Sequence, residues 1–494
     1  RAVACLAAAL VAVSVAAAQV PGWPAESPPG PLPARDVKFP PYEIRTLPNG
    51  LQVVVVLHHE QPIVSVRMLV RAGAANDPTG KQGLASMVSS LLDQGTKSRS
   101  AAQIADTIDS IGGGLGAGAG SDLSFANVLV MKDSFGFGLE LLSDVIRNPA
   151  FAPEELERQR QQALSGLRVG DESPDYVAGL VFERLVYGFH PYGLPATGTR
   201  ESLAAITTED LRVFHDRYYR PNNAILAIVG DTTVEEAFVA AGRVFDSWGR
   251  GPVPVPAVVE PPAPTRRVVI VNKPDAVQTE IRVGHLGIPR NDPDYLAFDL
   301  AVKILGGQGG NRLQWVLRSE RGLTYDASAD IQALKEAGDF AAETSTRTET
   351  TAEALRIVID EINRMQREPV SSRELASAQA YLAGSFPLTI ETPDAIAAQV
   401  LNVLFYQLPL TEIETYRERV NAITPGDIQR VARKYLRPDR LSVVLVGNAA
   451  QFADQLKGVG FDQYELVNLS DLDLTSADFR RVPQPAPANV GARP

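Results

Sequence analysis

Two α+β bodies of one plan, each a mostly antiparallel sheet packed with helices, are what this sequence predicts. Three observations predict them. First, residues 206–231 (ITTEDLRVFHDRYYRPNNAILAIVGD) and 423–448 (ITPGDIQRVARKYLRPDRLSVVLVGN) align without a gap. They share Ile206/Ile423, Thr207/Thr424, Asp210/Asp427, Tyr218/Tyr435, Arg220/Arg437, Pro221/Pro438, Val229/Val446 and Gly230/Gly447. Each copy reads as a helix opened by a Thr cap, a proline that stops it, and an apolar strand ending at glycine. Second, Pro-rich stretches divide the chain into two bodies of similar size. Third, both bodies begin with the same order of strands and then helices.

In the first body, Thr46-Leu-Pro-Asn-Gly-Leu51 is a turn, with Asn49-Gly50 as its hairpin signal. Strands are expected at 51–57 and 63–70. Helices are expected at 82–94, 100–111, 133–146, 153–168 and 174–187. The second body repeats the order with strands at 267–272 and 279–286 and a helix at 294–305. The domain plan is an N-terminal body at 42–248, a Pro-rich linker at 249–266 and a C-terminal body at 267–481. A Pro-rich arm (19–41) precedes them, and a tail expected to lack order (482–494) follows.

The chain has 494 residues, 45% apolar and 21% charged, which is globular composition. Lys and Arg total 47 against 58 for Asp and Glu, a net charge of −11, so no basic excess exists to bind nucleic acid. One cysteine excludes a disulfide scaffold, an iron–sulfur cluster and a cysteine-based zinc site. Arg1, the apolar run 2–15 and Ala16-Ala-Ala18 have the pattern of a secretory signal peptide ending at residue 18. Cys5 lies inside it, so the mature protein would have no thiol. No later run of 18 apolar residues predicts a membrane span. The setting expected is secretion across the inner membrane, either into the periplasm or in association with the outer membrane.

Residues 83–96 (GLASMVSSLLDQGT) are the informative stretch. Leu84, Met87, Val88, Leu91 and Leu92 form an apolar stripe at helical spacing, and Ser86, Ser89, Ser90 and Asp93 share another face. The segment resembles the zinc-binding helix of the insulinase/pitrilysin peptidases, the inverzincins, whose pattern is G-L-A-H-x-x-E-H-x-x-x-x-G-T. In that family the two histidines bind zinc and the glutamate acts as general base. Here Gly83-Leu84-Ala85 and Gly95-Thr96 stay in register, while Ser86, Ser89 and Ser90 occupy the working positions. The family's last ligand, a glutamate on a later helix, corresponds to Gly166. Neutral hydroxyls are poor zinc ligands and cannot serve as a base near pH 7. A serine nucleophile would need a neighbouring base that the local sequence lacks. His58-His59-Glu60 cannot chelate one ion from within a strand, because adjacent side chains diverge.

The resemblance extends over about residues 42–450, through His190-Pro-Tyr-Gly193, Gly198-Thr199, Tyr219-Arg-Pro-Asn222 and Val229-Gly-Asp231. In the second body, Gly306, Gly307, Gly309 and Gly310 form a Gly-rich loop before Asn311. It lacks the Lys of a phosphate loop. It reads either as a turn with Asn311 capping the next helix or, by the resemblance, as a segment lining a substrate chamber. Then come Arg318 and Tyr325, in L-R-S-E-R-G-L-T-Y. The residues alone suggest an arginine at a helix C-terminus, Gly322 capping that helix, and a tyrosine opening a strand and sharing a face with Ala327, Ala329 and Ile331. The resemblance implies the family's Arg/Tyr pair, which holds and polarises the substrate carbonyl.

Zinc ligands are vacant while the Arg/Tyr element is present. The resemblance therefore implies the zinc-free subunit of a two-chain metallopeptidase, each chain half of a clamshell. This chain would bind no metal or other cofactor. Zinc would sit in a homologous partner with an intact H-x-x-E-H. Peptide substrates would add a strand to that partner's sheet edge, and Arg318 and Tyr325 would act in trans. The rival reading is an inert structural or assembly subunit, like the core proteins of respiratory bc1 complexes.

Overall fold

The computed structural model describes residues 38–254, 259–263 and 266–481. The expected signal peptide, most of the Pro-rich arm, part of the linker and the tail lie outside the described residues.

Twelve strands among the described residues form two six-stranded sheets. The first contains β1 (Tyr42–Thr46), β2 (Gln52–Leu57), β3 (Ile63–Val70), β4 (Gly114–Ala119), β5 (Ser124–Met131) and β6 (Ala224–Gly230), in the order β1-β2-β6-β3-β5-β4. The second contains β7 (Arg267–Asn272), β8 (Gln278–Leu286), β9 (Ala327–Ala333), β10 (Gly338–Arg347), β11 (Ser442–Gly447) and β12 (Glu465–Asn468), in the order β12-β7-β11-β8-β10-β9. Five strands correspond in order: β2 to β7, β6 to β11, β3 to β8, β5 to β10 and β4 to β9. In both sheets the first and last of these in the chain pair in parallel, β2 with β6 and β7 with β11, and the others are antiparallel. The sheets differ at one edge, where β1 pairs antiparallel with β2 but β12 pairs parallel with β7. The expected mostly antiparallel α+β class is what the chain adopts.

One face of each sheet carries its own half's helices. In the first half, Val64, Val66, Met68, Leu226 and Ile228 pack with Leu84, Val88, Leu139, Leu211 and Phe245 from the helices. In the second half, Ile281, Val283, Phe340, Val443 and Leu445 pack with Phe298, Leu355, Val358, Ile362 and Val431. Each fully buried side chain of this size contributes about 1.5–3 kcal/mol.

The opposite faces are covered by exchange. Helix Pro174–Tyr187 comes from the first half but lies across β8 and β11 of the second sheet. There Val177, Val181, Phe182 and Tyr187 share a core with Val269, Val271, Val444 and Val446. Helix Pro393–Phe405 comes from the second half and lies across β3 and β6 of the first sheet, where Ile225, Ala227 and Val229 are fully buried. Each exchanged helix is pinned by the Asp in its first turn. Arg282 on β8 donates to Asp175 (3.1 Å), and Arg67 on β3 donates to Asp394 (3.4 Å) with Ser65 (3.1 Å). Registers make the two arginines equivalent: Arg67 faces Ala227 on β6 as Arg282 faces Val444 on β11.

Two expectations change. The helix expected at 294–305 runs regularly only over Tyr295–Val302 and then widens into a π-turn at Lys303–Gly307. Tyr325 does not open a strand, because β9 begins at Ala327.

Candidate functional site

The helix at the degenerate motif spans Leu84–Leu91 and starts at Gly83, whose φ of +90° is left-handed. The carboxylate of Asp77 accepts from the backbone N–H groups of Gly83 (2.8 Å), Leu84 (3.1 Å) and Ala85 (2.9 Å), and the Leu84 N–H also reaches the carbonyl of Lys81 at 3.1 Å, so the donors that open the helix are satisfied. Burial pushes this carboxyl up to about 7 against the pull of those donors. The expected apolar stripe is buried.

Two of the working positions, Ser89 and Ser90, have become structural. Ser89 is 0% exposed, and its hydroxyl lies 3.3 Å from the phenol of Tyr219. Tyr219 stacks on His215, whose ring is held by the carbonyl of Ile146 at 2.7 Å. Ser90 turns its hydroxyl back onto the carbonyl of Met87 at 3.0 Å. Ser86 is half-buried. Gly166 lies on helix Pro153–Glu172 with open space where a side chain would project. These positions do not fit a zinc ion: two hydroxyls are committed to protein partners and the fourth position has no donor atom. Among the described residues, no group of three His, Cys, Asp or Glu is placed to hold a metal. The strand before His58 ends at Leu57. His59 then bonds Asp231 at 2.7 Å, while the buried ring of His58 lies 3.9 Å from the carboxylate of Glu60.

The second half presents a different picture. Gly306 approaches β9 so closely that a Cβ would fall 2.3 Å from the backbone nitrogen of Ala329. Gly309 and Gly310 have open space around them. Asn311 caps the following helix by accepting from the N–H of Gln314 at 2.7 Å, as expected. That helix starts at Arg312 and widens into a π-turn over Trp315–Glu320, which carries Arg318. Gly322 (φ +62°) reverses the chain and donates to the carbonyl of Arg318 at 3.1 Å.

Arg318 and Tyr325 do come together. The guanidinium lies over the Tyr325 ring, 4.6 Å from its centre. Tyr325 is 80% exposed, whereas Ala327, Ala329 and Ile331 are buried. The expected shared strand face is therefore corrected: the chain bends at Tyr325 and points the ring away from the sheet. The loop is braced from behind. Thr346 donates to the carbonyl of Leu323 (2.8 Å), and Thr344 donates to that of Asp326 (2.8 Å). These bracing residues were not among the sequence-derived candidates. Their only trace is the run of hydroxyls at Thr344, Thr346, Thr348, Thr350 and Thr351.

Comparison with known proteins fits this geometry. Residues 52–200 match the model for the insulinase family of peptidases (M16), and residues 205–382 match that for the peptidase M16 inactive domain. The chain is 25% identical over 415 residues to the zinc protease PqqE of Helicobacter pylori, covering 83% of this chain and 93% of that protein. It resembles the crystal structure of a peptidase M16 inactive domain from Pseudomonas fluorescens, with a TM-score of 0.78 and 28% identity, covering 82% of this chain and 98% of the other. A chain of Complex III2 from Candida albicans shares the fold, with a TM-score of 0.72 and 14% identity, over 84% and 99% of the two chains. On these matches and its own duplicated sheets, the chain belongs to the insulinase family of peptidases.

Proposed function

We propose that this chain is the zinc-free subunit of a two-chain peptidase and lends Arg318 and Tyr325 to a homologous partner that carries an intact H-x-x-E-H. One contrast carries the reading: Ser89 and Ser90 at the metal-binding positions are committed to protein partners and Gly166 offers no donor, yet the Arg/Tyr pair stands exposed and braced. A guanidinium and a phenol held side by side can both donate to one oxygen as negative charge develops on it. The partner would supply the zinc chemistry. This chain would orient the peptide carbonyl and stabilise its oxyanion. The leader-like N-terminus supports a periplasmic setting.

The test is co-expression with an H-x-x-E-H partner and assay on a peptide library. The chain alone should contain no stoichiometric zinc and cut nothing, and the pair should cut peptides. Tyr325→Phe should lower kcat by about 100-fold, the scale of one oxyanion donor, with assembly intact. Unchanged turnover would remove the pair from the mechanism. The second reading, an inert assembly subunit, draws on the likeness to the Complex III2 chain. It predicts a stable complex whose activity ignores both side chains.

A further inference from the structure

Gln314 lies four residues before Arg318, one helical turn earlier in the same segment. Its side-chain amide spans the bend that carries Tyr325. Nε2 donates to the carbonyl of Tyr325 at 3.3 Å, and Oε1 accepts from the N–H of Ala327 at 2.8 Å. The partners fix the amide's orientation, since a backbone carbonyl can only accept and a backbone N–H can only donate. The residue between them, Asp326, has its carbonyl held separately by Thr324 (2.7 Å) and Thr344 (2.8 Å). On the other side, the N–H of Leu323 donates to the carbonyl of Leu317 at 2.8 Å. The segment bearing Arg318 thus holds the segment bearing Tyr325 at two points, one a side chain and one backbone. Tyr325 itself has little packing to hold it, being largely exposed.

We propose that Gln314 is the positioning residue of the Arg/Tyr pair, fixing the phenol of Tyr325 beside the guanidinium of Arg318 by gripping the backbone on both sides of the bend. The inference rests on the proposed role of that pair and names a third residue in its working. The chemistry required is that of an amide. Glutamate could accept from Ala327 but would turn a carboxylate oxygen toward the Tyr325 carbonyl. Alanine loses both bonds. Asparagine has the right atoms on a shorter arm. A stabiliser that merely packed would tolerate glutamate, which has nearly the same shape and size.

Two measurements test this. On the chain alone, 3-fluorotyrosine placed at 325 should give one narrow ¹⁹F line, and Gln314→Ala and Gln314→Glu should each broaden or shift it with the unfolding temperature unchanged. In the assembled peptidase, both variants should lower kcat about tenfold while KM stays within about twofold, since a misplaced donor costs transition-state stabilisation more than binding. An unchanged ¹⁹F line in Gln314→Ala overturns the proposal without involving the partner. So does full kcat in Gln314→Glu when Tyr325→Phe is impaired. If Tyr325→Phe keeps full kcat while the ¹⁹F line responds to Gln314→Ala, the proposed function fails, and Gln314 retains only its hold on the loop.

Discussion

The two exchanged helices dock through the same device in different electrostatic company. Each brings a first-turn Asp to an arginine at the same register of the receiving sheet. Around Arg67 the neighbouring equivalent positions are neutral: Ser65, Asn127 and, on the helix, Asn402. Around Arg282 they are Glu280, Glu343 and Glu183. Asp339 adds a further carboxyl, accepting from Tyr187 at 2.9 Å. Burial pushes Glu183, Glu280 and Asp339 up to about 7. Glu343 is also raised by burial. Duplication kept the mechanical joint and let its charge diverge, so the same arginine has a heavier duty in the second half.

The largest expected effect follows from that duty. Arg282→Met should destabilise the chain by about 3 kcal/mol at pH 8, because carboxylates left without their cation in a half-buried joint are costly. Arg67→Met should cost about 1 kcal/mol at any pH between 5 and 8. The sign of the pH dependence is fixed by linkage. Carboxyls raised from about 4 to about 7 keep protons in the folded chain that the unfolded chain releases. Their stabilising contribution is full below pH 4 and is lost as pH rises to about 7. The Arg282→Met penalty should therefore shrink on acidification to pH 5, as urea titrations at the two pH values would measure. Equal penalties for the two arginines would erase the contrast.

The former metal centre offers the next comparison. Ser89→Glu should cost about 2 kcal/mol by placing a carboxylate where no solvent reaches, while Gly166→Glu should change stability by less than about 0.5 kcal/mol. Thermal unfolding of the single variants would read both. The smallest effect is expected from Glu280→Ser, which copies the first half's residue into the second joint. It should narrow the gap between the unfolding temperatures at pH 5.5 and 7.5 by about 2 °C. An unchanged gap would show that Glu280 is no part of the acid-strengthened joint.

Much of this was legible from the sequence. Strands 63–70 and 267–272 and helix 174–187 fall where periodicity and proline place them, because their apolar faces and their stops are local signals. The degenerate helix was legible by register, since Gly83 and Gly95 bracket it. The exchange was not read, although a second repeat marks it. Glu172-Ser-Pro-Asp175 and Glu391-Thr-Pro-Asp394 open the two helices, and Ala178/Ala397, Val181/Val400 and Tyr187/Tyr406 continue the match. What the repeat cannot say is which sheet receives the helix, because an apolar stripe fits either. Tyr325 was misread for a related reason. Alternation suggests a strand face, but Gln314 and the threonines of β10 bend the backbone just before β9, and those contacts join residues distant in the chain.

The traded helices also bear on what would follow a break in the connection between the halves. Cleavage within 249–266 would leave each fragment clasping an element of the other, so the nicked protein should still migrate as one species and come apart only in denaturant. Either half expressed singly would lack the cover for its own sheet and leave a valine- and isoleucine-rich face open to water. Such a molecule resists being divided into modules, and both halves must be made together if either is to stay folded.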